Sequence, residues 1–93
     1  MNKKEATAIL AEHLKEYRKR SYAELQFLLN EQEVCEVAGP SGTVYQLEFQ
    51  AVWDSKKGED LRVMGSIDDG GWRAFVPLGH DFIMRPDGTF VGE

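Results

Sequence analysis

The side chains in this sequence that could do chemistry are mostly carboxylates in predicted turns. The predicted meander of strands gathers them at its two ends, with Asp68, Asp69, Asp87 and Ser41 at one end and Asp54, Asp60, His80 and Asp81 at the other. Oxygen ligands clustered on loops could hold a divalent cation. Their spacing matches no EF-hand loop, however, and aspartate is an ordinary turn residue. Solvated turn residues are the simpler interpretation, and no metal ligand is predicted.

Three residues, His80, Asp81 and His13, invite a catalytic interpretation. His80 and Asp81 could form an acid–base couple, but adjacent residues of a strand point to opposite sides. No serine, cysteine or acid is placed beside His13 by the spacing, so a packed or interfacial histidine is expected there. Cys35 is the only cysteine; it allows no intrachain disulfide and fits a reducing cytoplasm. No catalytic or cofactor-binding residue is predicted.

The charge is distributed unevenly along the chain. The net charge is −5, but residues 1–20 hold six lysines and arginines against three acids, and residues 21–93 hold five against thirteen. An acidic domain repels phosphate backbones, so no nucleic-acid binding is predicted. Arg18, Lys19 and Arg20 are the one basic cluster, and cations at a helix C-terminus also complement the helix dipole.

Length and composition are those of one soluble domain covering residues 1–93. Of these 93 residues, 42% are hydrophobic and 29% charged, which argues against wholesale disorder. Charged residues such as Glu12 and Lys15 interrupt every apolar run near the N-terminus. We expect neither a signal peptide nor a membrane span.

Two helices are predicted first, each opened by a capping-box pattern. Asn2 and Glu5 begin a helix over residues 3–19, and Ser21 and Glu24 begin a second over residues 21–30. From residue 33 the hydrophobic period changes to two, most clearly in TVYQLEFQAVW at 43–53. The predicted strands are 33–38, 43–53, 61–67, 72–78 and 81–85, with a short end at 89–91.

The turns and the alternation together predict the register. A type I′ turn at 68–71 and a two-residue type II′ turn at 79–80 are expected from their glycines. Pairing Trp53 with Leu61 places Phe49 opposite Gly65, and pairing Ile67 with Trp72 continues the same face. In the first strand, the side chains of Cys35 and Val37 face inward only if the loop after the strand has an odd length or contains a bulge.

The fold class predicted from these elements is α+β. Two N-terminal helices pack on one face of a mostly antiparallel β-meander of about five strands, giving a two-layer sandwich. The sheet face that the helices leave open carries more apolar residues than a solvated face should. The candidate interface on it comprises Val52, Met64, Phe75, Phe82 and Met84, with Arg62 and Arg73 at its rim.

The last third of the chain, about residues 61–93, contains the stretches GSIDDGGWRAFVPL and DFIMRPDGTFVGE. It resembles a small bacterial domain family to which no function is assigned. The resemblance implies a compact α+β domain from a bacterium, and it carries over no catalytic residue.

Two functions from different classes fit these observations. The first is a non-enzymatic, cytoplasmic protein-interaction module, forming a homodimer through the open sheet face or binding another protein. The second is a small-molecule or metal-binding protein, or an enzyme, that uses the acidic loop ends of the sheet.

Overall fold

A computed structural model describes residues 2–71 and 78–93. In these residues a four-stranded antiparallel sheet, ordered β1-β2-β3-β4, follows two α-helices and a 3₁₀ helix. The elements in chain order are α1 (Lys3–Arg18), α2 (Tyr22–Leu25), a 3₁₀ helix (Gln26–Leu29), β1 (Glu33–Ala38), β2 (Val44–Trp53), β3 (Leu61–Asp68) and β4 (Leu78–Met84). The α+β fold and the antiparallel sheet are confirmed.

Both predicted helix starts are found, with different partners for the two glutamates. Asn2 accepts a hydrogen bond from the Glu5 backbone N–H at 3.0 Å, which caps α1. The Glu5 carboxylate does not complete the box, because it accepts bonds from the Ser41 backbone N–H at 3.0 Å and the Ser41 hydroxyl at 2.7 Å. These bonds lower the pKa of Glu5. They also tie the start of α1 to the turn between β1 and β2.

The second helix starts as predicted and is shorter than expected. Ser21 and Glu24 form a complete capping box. The α-helix ends at Leu25, and residues 26–29 continue as a 3₁₀ helix. Because a 3₁₀ helix has three residues per turn, Leu25 and Leu28 fall on the same side. Both leucines are buried.

The central pair of strands has the predicted alternation and register. In β2, Tyr45, Leu47, Phe49 and Ala51 are buried and the residues between them are exposed. Trp53 lies opposite Leu61, and Phe49 opposite Gly65, as the alternation predicts. The register of β2 and β3 was therefore readable from the sequence.

The expected arrangement after β3 is wrong. Gly79 and His80 do not form a turn, because they lie inside β4, which pairs directly with β3: Leu78 is opposite Ile67 and Met84 is opposite Leu61. As one continuous strand, Leu78–Met84 directs Phe82 and Met84 inward, and both are buried. The described residues thus form four strands, not about five, and residues 72–77 of the predicted fourth strand lie outside them.

The turn after β3 also differs from the type I′ prediction. Such a turn needs positive φ at both central residues, but only Gly70 has one, at 81°. The Asp68 carboxylate instead accepts a bond from the Gly70 backbone N–H at 2.8 Å. Aspartate thus stabilises the turn through its side chain.

The loop after β1 has the length that the inward orientation of Cys35 and Val37 requires. The connection 39–43 has the required odd length, and Cys35 and Val37 lie opposite Leu47 and Tyr45 on the inner face. Val37 is half-buried, while Cys35 is exposed. β1 is an edge strand, so its inner face receives only partial cover.

The core joins α1 to the sheet residues that alternate inward. The ring of Tyr17 lies 4.5 Å from that of Phe49. A Cβ built on Gly65 would lie 3.0 Å from Cδ1 of Leu10. The absence of a side chain at Gly65 therefore permits α1 to approach β3 closely.

The C-terminal residues contact the same core. Phe90 bridges to Met84 and packs edge-on against Phe82, with 5.7 Å between ring centroids. The Arg18 guanidinium lies 4.2 Å from the centre of the Phe90 ring and forms an ion pair with Glu93. The C-terminal segment is thereby tied to the end of α1.

Candidate interaction surfaces

The open face of the sheet is formed by the residues that alternate away from the core. Strand alternation and the register assign to it Val34, Glu36, Ala38, Val44, Gln46, Glu48, Gln50, Val52, Arg62, Met64, Ser66, Asp68, Gly79, Asp81 and Ile83. Five large apolar side chains are prominently exposed among the described residues, and three are on this face: Val34 at 58%, Val44 at 47% and Val52 at 43%. Valines at these positions are unusual for a fully solvated face.

The predicted interface residues separate into three groups. Val52, Met64 and Arg62 lie on the open face, with Met64 opposite Gln50 as expected. Phe75 and Arg73 lie outside the described residues. Phe82 and Met84 do not belong to this face: they are 5% and 1% exposed and lie in the hydrophobic core.

The shift of Phe82 and Met84 follows from the error at residues 79–80. A two-residue hairpin would pair Pro77 with Phe82 and so set Phe82 on the face opposite to Leu78. A continuous strand sets Leu78 and Phe82 on the same side, because alternate residues share a face. Phe82 consequently faces Val63, its inner partner on β3.

Arg62 is held on the open face by two of the predicted loop acids. Its guanidinium donates to Asp54 at 2.7 and 3.0 Å and to Asp81 at 2.6 Å. These hydrogen bonds raise the pKa of Arg62. Arg62 therefore engages two carboxylates that could have served a cation, and the three side chains together keep a net charge of −1.

Beside this trio is a hollow of about 460 Å³ on the open face. It lies where Gly79 contributes no side chain, between Glu48, Met64 and Asp81. In residues 2–71 and 78–93, no group of three or more histidine, cysteine or acidic residues could hold a metal ion. His80 lies opposite Gly65, whereas Asp81 lies opposite Met64, so the two side chains of the conceivable acid–base couple belong to different faces.

His13 and Cys35 have structural surroundings. The His13 ring lies parallel to that of Phe49 at 6.0 Å, and its Nδ1 donates to the Ile9 carbonyl at 3.0 Å. Desolvation and the nearby Glu33 raise the pKa of the Cys35 thiol, which disfavours the nucleophilic thiolate.

The basic cluster is engaged within the chain. Arg18 pairs with Glu93, and Lys19 pairs with Glu16 at 3.1 Å. Arg20 lies 3.1 Å from Glu33 and over the ring of Tyr17. These contacts leave less positive charge for an anionic partner.

A second surface, which sequence reasoning missed, is a groove of about 760 Å³ between α1 and the β1 side of the sheet. Ile9, Glu12, His13 and Val37 contribute to its lining. Ile9 and Val37 are only half-buried. The position of His13 within the apolar stripe of α1 was the one indication of this groove in the sequence. Which residue lies across the groove from His13 depends on the register of β1.

The groove lies next to an open sheet edge. The Gly39 backbone N–H donates to the Thr43 carbonyl at 2.8 Å, which fixes the phase of the β1–β2 ladder. Hydrogen-bonded pairs alternate in antiparallel strands. The backbone groups of Glu33, Cys35 and Val37 consequently face β2, and those of Val34, Glu36 and Ala38 face away from the sheet.

No protein-family model, curated protein or solved structure matches this chain. Membership of the bacterial family that residues 61–93 resemble stays a prediction. Among the described residues, none of the helices has the length and apolar character needed to cross a membrane.

Proposed function

We propose that this protein is a non-enzymatic protein-interaction module of the bacterial cytoplasm that self-associates through the open face of its sheet. The observation that carries the proposal is the exposure of Val34, Val44 and Val52 on that one face. These valines are distributed along the face, with Val44 and Val52 close to the two ends of β2, so a partner would have to cover the face as a whole. An apolar content above that of a solvated face is typical of a covered one.

A two-layer arrangement is part of the proposal. The contacts of Leu10 and Tyr17 with the sheet involve Gly65 and Phe49, which belong to the inner face. In α2, the ring of Tyr22 lies 6.4 Å from that of Trp53, which alternates to the same face as Phe49. We infer that both helices lie on that side. The outer side is then available to a second copy.

The dimensions of the face indicate how much of it a dimer would use. Strands lie about 4.8 Å apart and rise about 3.4 Å per residue. The four strands contain six, ten, eight and seven residues, so the face has a projected area of about 500 Å². That is less than the roughly 800 Å² that each partner contributes to a standard interface. A dimer would need nearly the whole face, so one charge near Val44 or Val52 should disrupt it.

The charges on the face predict an unusual salt dependence. Glu36 and Glu48 lie there, while Arg62 is already neutralised by Asp54 and Asp81. Two copies therefore present like charges to each other, and salt screens this repulsion. Association should strengthen as sodium chloride is added.

The experiment is light scattering coupled to gel filtration on the parent, on Val52→Asp and on Val91→Asp. Val91 is also exposed but lies outside the sheet face, so it is the matched control. We expect a dimer for the parent and Val91→Asp at high micromolar concentration, and a folded monomer for Val52→Asp. A parent that stays monomeric at high salt removes the self-association.

A second candidate is small-molecule binding in the hollow beside Gly79. It is favoured by the convergence of the Glu48 and Asp81 carboxylates on one concave surface. A thermal shift with small cationic ligands that Glu48→Gln abolishes would support it. No shift with any member of a cationic library would count against it.

A further inference from the structure

We propose that the outer edge of β1, together with the groove beside it, binds an extended segment of a partner protein in which apolar residues alternate with lysine or arginine. The segment would add to the sheet as a new strand next to β1. This binding is separate from self-association through the open face and goes beyond it.

The backbone of β1 is the first element of this site. The N–H and C=O groups of Val34, Glu36 and Ala38 are directed away from β2, as the phase of the ladder requires. β1 is at the end of the strand order. An edge of this kind can pair with an added strand, whose main-chain bonds supply affinity.

The groove supplies the second element, which is side-chain selectivity. Alternate side chains of an added strand would be directed toward α1, where Ile9, His13 and Val37 line the groove. Burial of apolar side chains there is favourable because Ile9 and Val37 are only partly covered in the free protein. Apolar residues are therefore expected at every second position of the partner.

The charges around the edge identify the occupant. Five carboxylates surround β1 and the groove, against two cations, Lys4 and Arg20; the carboxylates are those of Glu5, Glu12, Glu31, Glu33 and Glu36. Glu36 lies at the centre of the edge, and its hydrogen bond to Gln46 at 3.4 Å leaves its charge uncompensated. Lysine or arginine opposite Glu36 would form a favourable cross-strand pair.

The same charges disfavour a second copy at this edge. Residues 31–38 contain three glutamates and neither lysine nor arginine. Pairing β1 with the β1 of another copy would bring these glutamates together, and like charges on neighbouring strands are destabilising. A basic segment of a different protein is therefore the occupant that we propose.

The test uses a fluorescent peptide of alternating valine and lysine, slightly longer than β1, and a matched peptide of alternating valine and glutamate. Fluorescence anisotropy should show binding of the lysine peptide that weakens as salt is added, opposite to the salt effect expected for self-association. The glutamate peptide should bind at least tenfold more weakly. Equal binding of the two peptides, or no binding of the lysine peptide at about 1 mM, would overturn the proposal.

Amide hydrogen exchange measured by NMR locates the peptide. The amides of Val34, Glu36 and Ala38 should become protected on binding, since their N–H groups gain partners. If the exchange rates of these three amides do not change when the peptide binds, strand addition is refuted. A doubled mass in light scattering that depends on this edge would assign it to a second copy and would also refute the proposal.

Two variants test the edge itself. Glu36→Lys should weaken the lysine peptide about fivefold or more, whereas Glu59→Lys, the same change in the loop 54–60, should not. Val34→Pro removes an outward N–H that makes no bond to β2, so proline is tolerated at this position of an edge strand. This substitution should reduce binding of the lysine peptide to a similar extent. If Val34→Pro fails to fold, Glu36→Lys and the exchange pattern still decide the outcome.

Discussion

Replacing Gly65 with alanine is predicted to destabilise the fold although alanine is the smallest change available. The φ angle of Gly65 is outside the left-handed region, so alanine fits the backbone. The added Cβ would lie 2.8 Å from Cε1 of Phe49 and 3.0 Å from Cδ1 of Leu10. Phe49 is 1% exposed and packed against Tyr17, so its ring has little room to move.

The magnitude follows from two opposing effects. Overpacking of a core costs about 1–3 kcal/mol, and removing a glycine from the unfolded chain stabilises by about 0.5–1 kcal/mol. The free energy of unfolding should therefore fall by about 1 kcal/mol, which lowers Tm by about 4–8 °C in a domain of this size. Gly65→Leu should cost about 3 kcal/mol or more.

Gly79→Ala is the matched control for this measurement. It lies on the neighbouring strand, also without positive φ, and among the described residues its Cβ would meet only the Gly65 carbonyl, at 3.4 Å. Urea denaturation of both variants should show Gly65→Ala less stable than the parent and Gly79→Ala unchanged or slightly stabilised. Equal stabilities of the two alanine variants would refute the close approach of α1 to β3. In a double-mutant cycle, Gly65→Ala should cost less in a Phe49→Leu background than in the parent, because the smaller side chain makes room for the new methyl group.

Three further predictions concern ionisation, capping and charge. The Tyr17 hydroxyl donates to Glu33 at 2.7 Å and, together with Arg20, lowers the pKa of Glu33 below 4.5; the stability this gives is present above pH 4.5 and is lost on acidification. Glu33→Gln should therefore be less stable than the parent at neutral pH and approach it in acid, and parallel pH-dependent slopes in urea denaturation would contradict this. Ser21→Ala should cost about 1 kcal/mol through loss of the cap, while Ser21→Asp, which keeps an acceptor, should cost less in the same thermal melts. The excess of acids over bases in residues 21–93 predicts no salt-sensitive, submicromolar binding to a mixed oligonucleotide pool at physiological salt, and anisotropy showing such binding would refute it.

Local signals were sufficient for the start of each helix and for the central hairpin. Ser21 and Glu24 interact within one turn, so the sequence contains both partners of the capping box. The register of β2 and β3 also followed from the sequence. Trp53 is the last residue of one alternating stretch and Leu61 is the first residue of the next, and a shift by one residue would expose the apolar residues of a strand.

The candidate surfaces required the tertiary structure to a greater extent. Val52, Met64 and Arg62 lie on the open face as predicted because they belong to the correctly registered pair of strands. The groove beside Val37 was not predictable, since its walls come from α1 and β1, which are far apart in the chain. No local pattern specifies how near a helix lies to an edge strand.

The sequence alone determined which residues alternate, but only the tertiary structure decided which face received Phe82 and Met84. Gly79 and His80 are compatible with a tight turn and with the interior of a strand, and the choice depends on what β3 pairs with. In the structure β3 pairs with Leu78–Met84, which buries Phe82 and Met84 beside Val63 and Leu61. Because side chains in a strand have a period of two, replacing a two-residue turn by a continuous strand transfers every later residue to the opposite face.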